Sequence, residues 1–431
     1  MAVYAGSLLH FTKNKQARSI AIYTFANFFS KGISFLLLFY FTKVLTQADF
    51  GMLSLYSNGI LFLMPFISLG ILQSINTDFF KLEKQTFKKF FTTVSVLPIC
   101  IAIVAIACLY LFKSAIIYKY NFPVSCIILL PIVALLSFIN EQLTILIRNN
   151  NLPMHYLCIS IGRLCIEIGI AVILISGYKY GWMGRVIGML LAYISVAMYA
   201  IYYFKKNNYL FGKFTPQFIK PELVFGIPII ALQMGVFCLS ASAVYFINHF
   251  TTNVATVGIY SVAATFASII NVFCVALLQY FQPKIYSLLS QKNINSKAIT
   301  THFIYYCATM LACTCMVIVA VPLVYHYLLH TAYKPGLSYY YFICIGQFFW
   351  SVTYFLLSFL LYHKKKKQIL FISITAIICS ITSNFIGASQ YGAYGTAVAA
   401  TISYGIILLL SIFILRKQLT HLLHPTKAAT S

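Results

Sequence analysis

Acidic side chains are scarce in this sequence, with 6 Asp and Glu against 30 Lys and Arg in 431 residues and charged residues of all kinds at 8%. A soluble globular domain carries about 25% charged residues, so too little charge is present to cover a water-facing surface. Tryptophan is limited to 2 residues, yet phenylalanine and tyrosine lift the aromatic share to 17%. That share excludes a disordered polar tail, which is poor in aromatics. The 12 cysteines lie in apolar stretches with no CxxC or zinc-type spacing, and read as small buried side chains. No Walker loop, GxSxG or HExxH motif occurs, which leaves out ATP hydrolysis and serine or zinc catalysis. His326 and His330 share a helix face, but no Asp or Glu stands near them in sequence, so no metal and no other cofactor is expected. The first 17 residues are polar and carry no cleavable signal pattern.

What the sequence has is long apolar runs, with 61% hydrophobic residues overall. A helix needs about 20 mostly apolar residues to cross a bilayer core. Spans are expected at 20–42, 52–75, 90–112, 124–147, 154–176, 182–204, 224–247, 255–278, 304–324, 339–361, 369–387 and 393–415. The fold class is therefore an all-α polytopic membrane protein with twelve transmembrane helices. Barrel strands would instead show alternating segments of about ten residues. Between the fourth and fifth spans the turn falls on Arg148 to Pro153, and proline suits the first position of a helix.

Basic residues give the orientation. Of the 30 Lys and Arg, 22 fall in loops on the side of the termini and 5 in the opposite loops. Both termini are expected in the cytoplasm. The positive charge is scattered over seven short segments, which argues against nucleic acid as a partner and leaves attraction to membrane lipids as a secondary effect.

The two halves share a pattern. Gly51 and Ser54 recur as Gly258 and Ser261 at an offset of 207, and Tyr180, Gly181, Gly184 and Tyr193 recur as Tyr391, Gly392, Gly395 and Tyr404 at an offset of 211. Close offsets imply a six-helix unit used twice, in parallel because six is even. The expected lobes are 1–208 and 209–431, joined through the basic segment from Lys205 to Glu222.

Five charged residues fall inside expected spans: Lys31, Glu141, Arg163, Glu167 and Arg185. Each costs about 2.5–3.5 kcal/mol at a helix centre on insertion scales, so each needs a partner or a wet cavity. Arg163 and Glu167 are spaced i, i+4 and can pair. One reading makes that pair structural; the other makes Glu167 a carboxylate that takes up a proton or Na⁺ and frees Arg163 for an anion. Glu141 has no basic residue one turn away within its span and is the second candidate for ion coupling, with Asn140 and Gln142 as neighbours able to hold it protonated. Lys31, Arg163 and Arg185 are expected at different depths, a gradient suited to a diphosphate, because guanidinium and ammonium groups replace water around phosphate oxygens. The second half offers only neutral polar groups, among them Gln233, Asn271 and Gln347, for a variable neutral moiety.

The opening third resembles the polysaccharide flippases of the Wzx type, in the multidrug/oligosaccharidyl-lipid/polysaccharide (MOP) exporter superfamily. The residues that carry the likeness are Phe29-Ser30-Lys31-Gly32-Ile33, Leu45-Thr46-Gln47-Ala48-Asp49-Phe50-Gly51 running into Ser54-Leu55-Tyr56, and Tyr180-Gly181-Trp182-Met183-Gly184-Arg185. The resemblance implies two six-helix bundles around a central cavity that opens to each side in turn. It also implies a cargo of oligosaccharide on undecaprenyl diphosphate, moved to the periplasmic leaflet of a bacterial inner membrane for O-antigen or lipopolysaccharide synthesis. Among the charged candidates only Lys31 and Arg185 lie in matching segments, and the coupling ion, H⁺ or Na⁺, does not carry over. A polysaccharide polymerase is the protein partner such a pathway would supply. The rival of the same fold is a multidrug cation antiporter, whose cavity should hold carboxylates in excess. A membrane enzyme is disfavoured, because the longest outer segment, 325–338, contains Lys334 and no acid.

Overall fold

A computed structural model describes residues 22, 25, 29, 32, 33, 35, 37–120, 122–289, 296–363 and 365–423. The helices among them are α1 (Gln47–Ser68), α2 (Ile71–Asp78), α3 (Lys84–Leu111), α4 (Lys113–Tyr120), α5 (Val124–Asn149), α6 (Pro153–Val172), α7 (Trp182–Lys206), α8 (Ile219–Ser240), α9 (Ala243–Thr251), α10 (Val254–Ala267), α11 (Ile269–Leu289), α12 (Ser296–Tyr327), α13 (Leu337–Tyr362) and α14 (Lys366–Leu423). Lipid offers a peptide group no hydrogen-bond partner, and a helix satisfies its own backbone. Apolar sequence of this length therefore folds this way. No strand occurs among the described residues.

Ten helical runs among the described residues are long and apolar enough to cross a bilayer, so this is a multi-pass membrane protein. The last extends 50 residues from Lys367 to Arg416. At 1.5 Å per residue that is about 75 Å of helix, against about 30 Å of hydrocarbon. Gly392 interrupts it with φ 56° and ψ −133°, at the junction expected between the last two spans. Residues 37–44 are helical; much of the first expected span, Lys31 included, lies outside the described residues. Pro153 opens α6 at its first turn as expected. α1 differs from the reading of one continuous span: it ends at Ser68, and Leu69 and Gly70 take left-handed conformations (φ 47° and 73°) before α2. Gly70 and Gly226 allow the close approach there, since a Cβ on Gly226 would run into the Leu69 carbonyl.

The chain forms two compact units. The first holds the residues up to Asp49 together with Tyr56–Ile230; the second holds Phe50–Leu55 together with the chain from Ala231 onward. In the first, Thr46 and Asp49 close a capping box at the start of α1, which satisfies two orphan N–H groups reciprocally. Asp49 Oδ1 also accepts from the Trp182 backbone N–H at 3.3 Å. One carboxylate thus fastens the start of α7 to the start of α1. Gly181 is needed at this junction twice over: its φ of 54° and ψ of −141° suit only glycine, and a Cβ would sit 2.9 Å from Asp49 Oδ1.

In the second unit, Asn253 caps α10 through a 3.0 Å bond from the Ala255 N–H. Asn253 stands 207 residues after Thr46, the offset read from the sequence. Gly392, 211 after Gly181, has nearly the same unusual backbone conformation, and a Cβ there would meet the Thr251 methyl at 3.3 Å. Ser54 and Ser261, themselves 207 apart, hydrogen-bond at 2.7 Å within this unit. Its interior is held by buried tyrosines whose hydroxyls find backbone acceptors: Tyr306 donates to Ser351 O at 2.9 Å and Tyr340 to Val317 O at 2.7 Å. Mid-helix residues such as Ile103 (60% exposed) and Leu409 (68%) stand on the outer surface, as expected where the solvent is lipid.

Replacing Gly181 or Gly392 by Ala should cost about 1–3 kcal/mol each through backbone strain. Gly162→Ala, where nothing lies within 4 Å of the added Cβ, should cost nothing. Thermal unfolding of the purified protein in detergent measures both; equal melting of all variants would contradict this account of the junctions.

Candidate functional site

The charged residues of the first unit converge on α6 and α7. Arg163 and Glu167, one turn apart on α6, form the ion pair that their spacing predicts, with Arg163 Nη1 donating to Glu167 Oε2 at 2.8 Å. A second pair was not foreseen: Arg185 Nη2 on α7 reaches Glu167 Oε1 at 3.0 Å. Both carboxylate oxygens are therefore engaged, and the Glu167 side chain is only 7% exposed. Each arginine also covers a ring, Arg163 over Tyr193 at 5.2 Å and Arg185 over Phe41 at 5.1 Å. Arginine suits this position because a planar guanidinium can stack and hydrogen-bond at once.

Arg163 and Arg185, expected at different depths, are drawn to one carboxylate by the packing of α7 on α6. Gly188 lies against the Glu167 backbone, where a Cβ would stand 2.6 Å from the carbonyl oxygen, and Gly184 lies against Leu174 and Ile175. Gly184 and Gly188 thus form a small-xxx-small seam along which α7 packs closely on α6. Arg185, three residues before Gly188, sits within one turn of Glu167 in height. The two arginines bracket a single carboxylate over roughly 10 Å of the helix pair.

Chemically this is a cluster of net charge +1 inside apolar helices. Arg185 Nη1 is buried with no hydrogen-bond partner among the described residues. A guanidinium offers five N–H donors, and Glu167 cannot occupy all of those of two arginines. The remaining donors suit an oxyanion.

Glu141 on α5 is half-buried. It lies within electrostatic reach of Arg148 and Arg163 but forms no direct ion pair among the described residues. Its neighbour Gln142 does not turn to it; Gln142 Nε2 donates to Ser95 at 3.1 Å. Ser137, one turn earlier on α5, reaches the Tyr193 hydroxyl at 3.5 Å, so Tyr193 touches α5 as well as the Arg163 plane. Lys31 lies outside the described residues. In the second unit Gln233 is half-buried with an unpartnered Oε1, Gln347 lies beside the Tyr404 hydroxyl, and Asn271 is exposed. No bond among the described residues links these three. His330 caps the turn at Thr331–Gly336 by accepting from the Ala332 N–H, and His326 packs edge-on to Tyr327. Sequence reasoning missed the Arg185–Glu167 pair and the rings at Phe41 and Tyr193; the one available signal was Gly184-x-x-x-Gly188 flanking Arg185.

The fold and this site can be set beside known proteins. The chain is similar to an inward-facing multidrug resistance MATE family transporter of the MOP superfamily, at 14% identity over 94% of this chain and 96% of that one, with a TM-score of 0.69. An outward-facing MATE transporter matches at 14% identity, the same coverages and a TM-score of 0.59. A MOP superfamily transporter from Pyrococcus furiosus, for which reversed polarity of the binding pocket suggests a different function, matches at 14% identity, 94% and 97% coverage and a TM-score of 0.57. No curated protein matches. The likeness is one of fold. The chain belongs to the polysaccharide biosynthesis protein family, whose pattern it matches over residues 17–283.

If Glu167 holds two guanidiniums together, Glu167→Gln should lower stability by on the order of 2 kcal/mol or more, because it leaves like charges facing each other. Glu141→Gln, at a residue with no direct pair, should melt near the wild-type temperature. Equal losses in the two variants would remove Glu167 from this role.

Proposed function

We propose that the chain is a flippase for an undecaprenyl-diphosphate-linked oligosaccharide repeat unit, carried from the cytoplasmic to the periplasmic leaflet of the bacterial inner membrane. In this reading twelve crossings form two six-helix lobes, 1–208 and 209–431, with both termini in the cytoplasm and access alternating between the two faces. The cargo crosses chemically unchanged. The observation that carries the reading is the Arg163–Glu167–Arg185 cluster, with its net positive charge and the unpartnered Arg185 Nη1. A diphosphate presents several oxygens to such donors, and charge-assisted bonds to guanidinium are the strong ones. Lys31 joins the two arginines as the third cation in this proposal. Gln233, Asn271 and Gln347 are assigned to the sugar, as neutral groups able to donate and accept.

Transport without hydrolysis draws on an ion gradient, of H⁺ or Na⁺, or on consumption of the product by a polysaccharide polymerase. Of the two carboxylates, Glu141 is the better coupling group, since Glu167 is committed to both arginines. The likeness to MATE transporters supports a competing reading as a multidrug cation antiporter. A site for cations would need more carboxylates than cations, whereas this cluster has two arginines to one glutamate.

Replacing Arg163, Arg185 or Lys31 by Gln should abolish surface polysaccharide while the protein still inserts in the membrane; unaltered polymer in all three would overturn the proposal. Glu141→Gln should remove the dependence of transport on the proton or sodium gradient, and an unchanged dependence would exclude Glu141 from coupling.

A further inference from the structure

A second polar site lies in the first unit, away from the arginines. A cavity of about 680 Å³ opens between the start of α3, the end of α5 and the segment after α7, a volume in the range of ligand sites. Lys84 and Lys88 project from α3 on one helix face, and Gln85, Asn207 and Asn208 bring amides to the rim. The floor is aromatic: Tyr209 meets Phe87 edge-on at 5.8 Å and Phe79 at 6.5 Å.

This cavity is built rather than incidental. The segment after α7 is laced to α3, with the Gly212 N–H donating to Thr92 Oγ1 and the Thr215 N–H donating to Thr93 Oγ1, both at 3.0 Å. A Cβ on Gly212 would stand 2.6 Å from the Lys88 carbonyl oxygen. Asn150 Nδ2 donates to the Tyr209 hydroxyl at 3.0 Å and fixes the floor from below.

Its electrostatics are one-sided. No carboxylate lines the cavity, and neither Lys84 nor Lys88 forms an ion pair among the described residues. Like charges at i, i+4 repel, and both lysines stand near the positive end of a 28-residue helix whose first turn holds no acid beyond the N-cap Glu83. A bound anion relieves both penalties. The amides can donate and accept, as sugar hydroxyls require, and the half-buried Tyr209 ring, backed by the buried Phe87, offers an apolar face on which a pyranose packs.

We propose that this cavity docks a phosphorylated sugar, with Lys84 and Lys88 on the phosphate, the amides on the hydroxyls and Tyr209 beneath the ring. The flippase reading enters at one point only, the source: the sugar phosphate is the head of a lipid-linked precursor, held on the basic side of the membrane before transport.

The test is binding to the purified full-length protein in detergent, with farnesyl-diphosphate-linked N-acetylglucosamine, free N-acetylglucosamine 1-phosphate, inorganic phosphate and phosphatidylglycerol as probes. Both sugar phosphates should bind, the lipid-linked one more tightly. The Lys84→Gln/Lys88→Gln double variant should weaken the free sugar phosphate by about tenfold or more, the size of a lost charge-assisted contact. Asn208→Asp should do the same through charge alone, because Asn208 is exposed at φ 57°, a conformation that Asp tolerates. Lys113→Gln, at a lysine that starts α4 outside the cavity, should leave binding of the free sugar phosphate unchanged. Unaltered binding in the lysine and Asn208 variants, with unchanged melting temperatures, would overturn the site. Inorganic phosphate binding as tightly as the sugar phosphate would overturn the sugar assignment, and so would displacement by equimolar phosphatidylglycerol. Equal affinity for the free and lipid-linked forms would overturn the membrane source. Intact binding in a protein that moves no lipid-linked sugar would sink the flippase reading and leave this site standing.

Discussion

Glu167 is one carboxylate between two guanidiniums, and the helix pair α6–α7 is built to keep it there. In apolar surroundings an isolated charge is too costly to retain, and a single pair would cancel itself. Three charges of unequal sign leave a surplus. The surplus survives because Gly184 and Gly188 bring α7 against the α6 backbone, close enough for Arg185 to share a carboxylate already claimed by Arg163. Phe41 and Tyr193 then cover the guanidinium faces and leave the N–H edges as the reactive part. In the proposed function this arrangement serves an oxyanion, because the arginines are largely buried and held in place by Glu167.

The two units use matching devices at corresponding places. Thr46 and Asn253 cap helices 207 residues apart, and Gly181 and Gly392 turn the chain with nearly the same φ and ψ. The chemistry is not duplicated with the scaffold. At the offset of 211, the counterparts of Arg163, Glu167 and Arg185 are Ile374, Ile378 and Thr396, all uncharged. Some polar groups of the second unit bond one another: Asn384 Nδ2 donates to Ser242 and Ser380 and Ser383 bonds Ser403 at 2.6 Å. Among the described residues the ion-paired arginines lie in the first unit, and the counterpart positions in the second are neutral. That asymmetry is the physical ground for assigning phosphate to the first half.

Much of this was legible in the amino-acid sequence, for reasons that can be named. Apolar runs and their breaks fix helices wherever lipid is the solvent, so the turn before Pro153 and the break at Gly392 fall where expected. The Arg163–Glu167 pair is a local i, i+4 relation and needs no tertiary information. The Arg185–Glu167 pair depends on how two helices cross, which periodicity does not encode; only the glycine spacing beside Arg185 hinted at it. The end of α1 at Ser68 was hidden because Leu69 and Gly70 sit inside an apolar run whose composition continues into α2. The phosphorylated-sugar cavity was out of reach for a related reason: it draws on the Phe79–Lys88 turn and helix start, on Asn150 and on Asn207–Tyr209, segments that meet only after folding.

The cluster is proposed to make this protein receptive to an anionic, phosphate-bearing cargo. Its most direct test is translocation in vesicles reconstituted with the purified protein, with a fluorescent short-chain diphosphate-linked sugar compared against a lipophilic cationic dye. The diphosphate-linked sugar should cross and the dye should not. Movement of the dye with no movement of the sugar would contradict it.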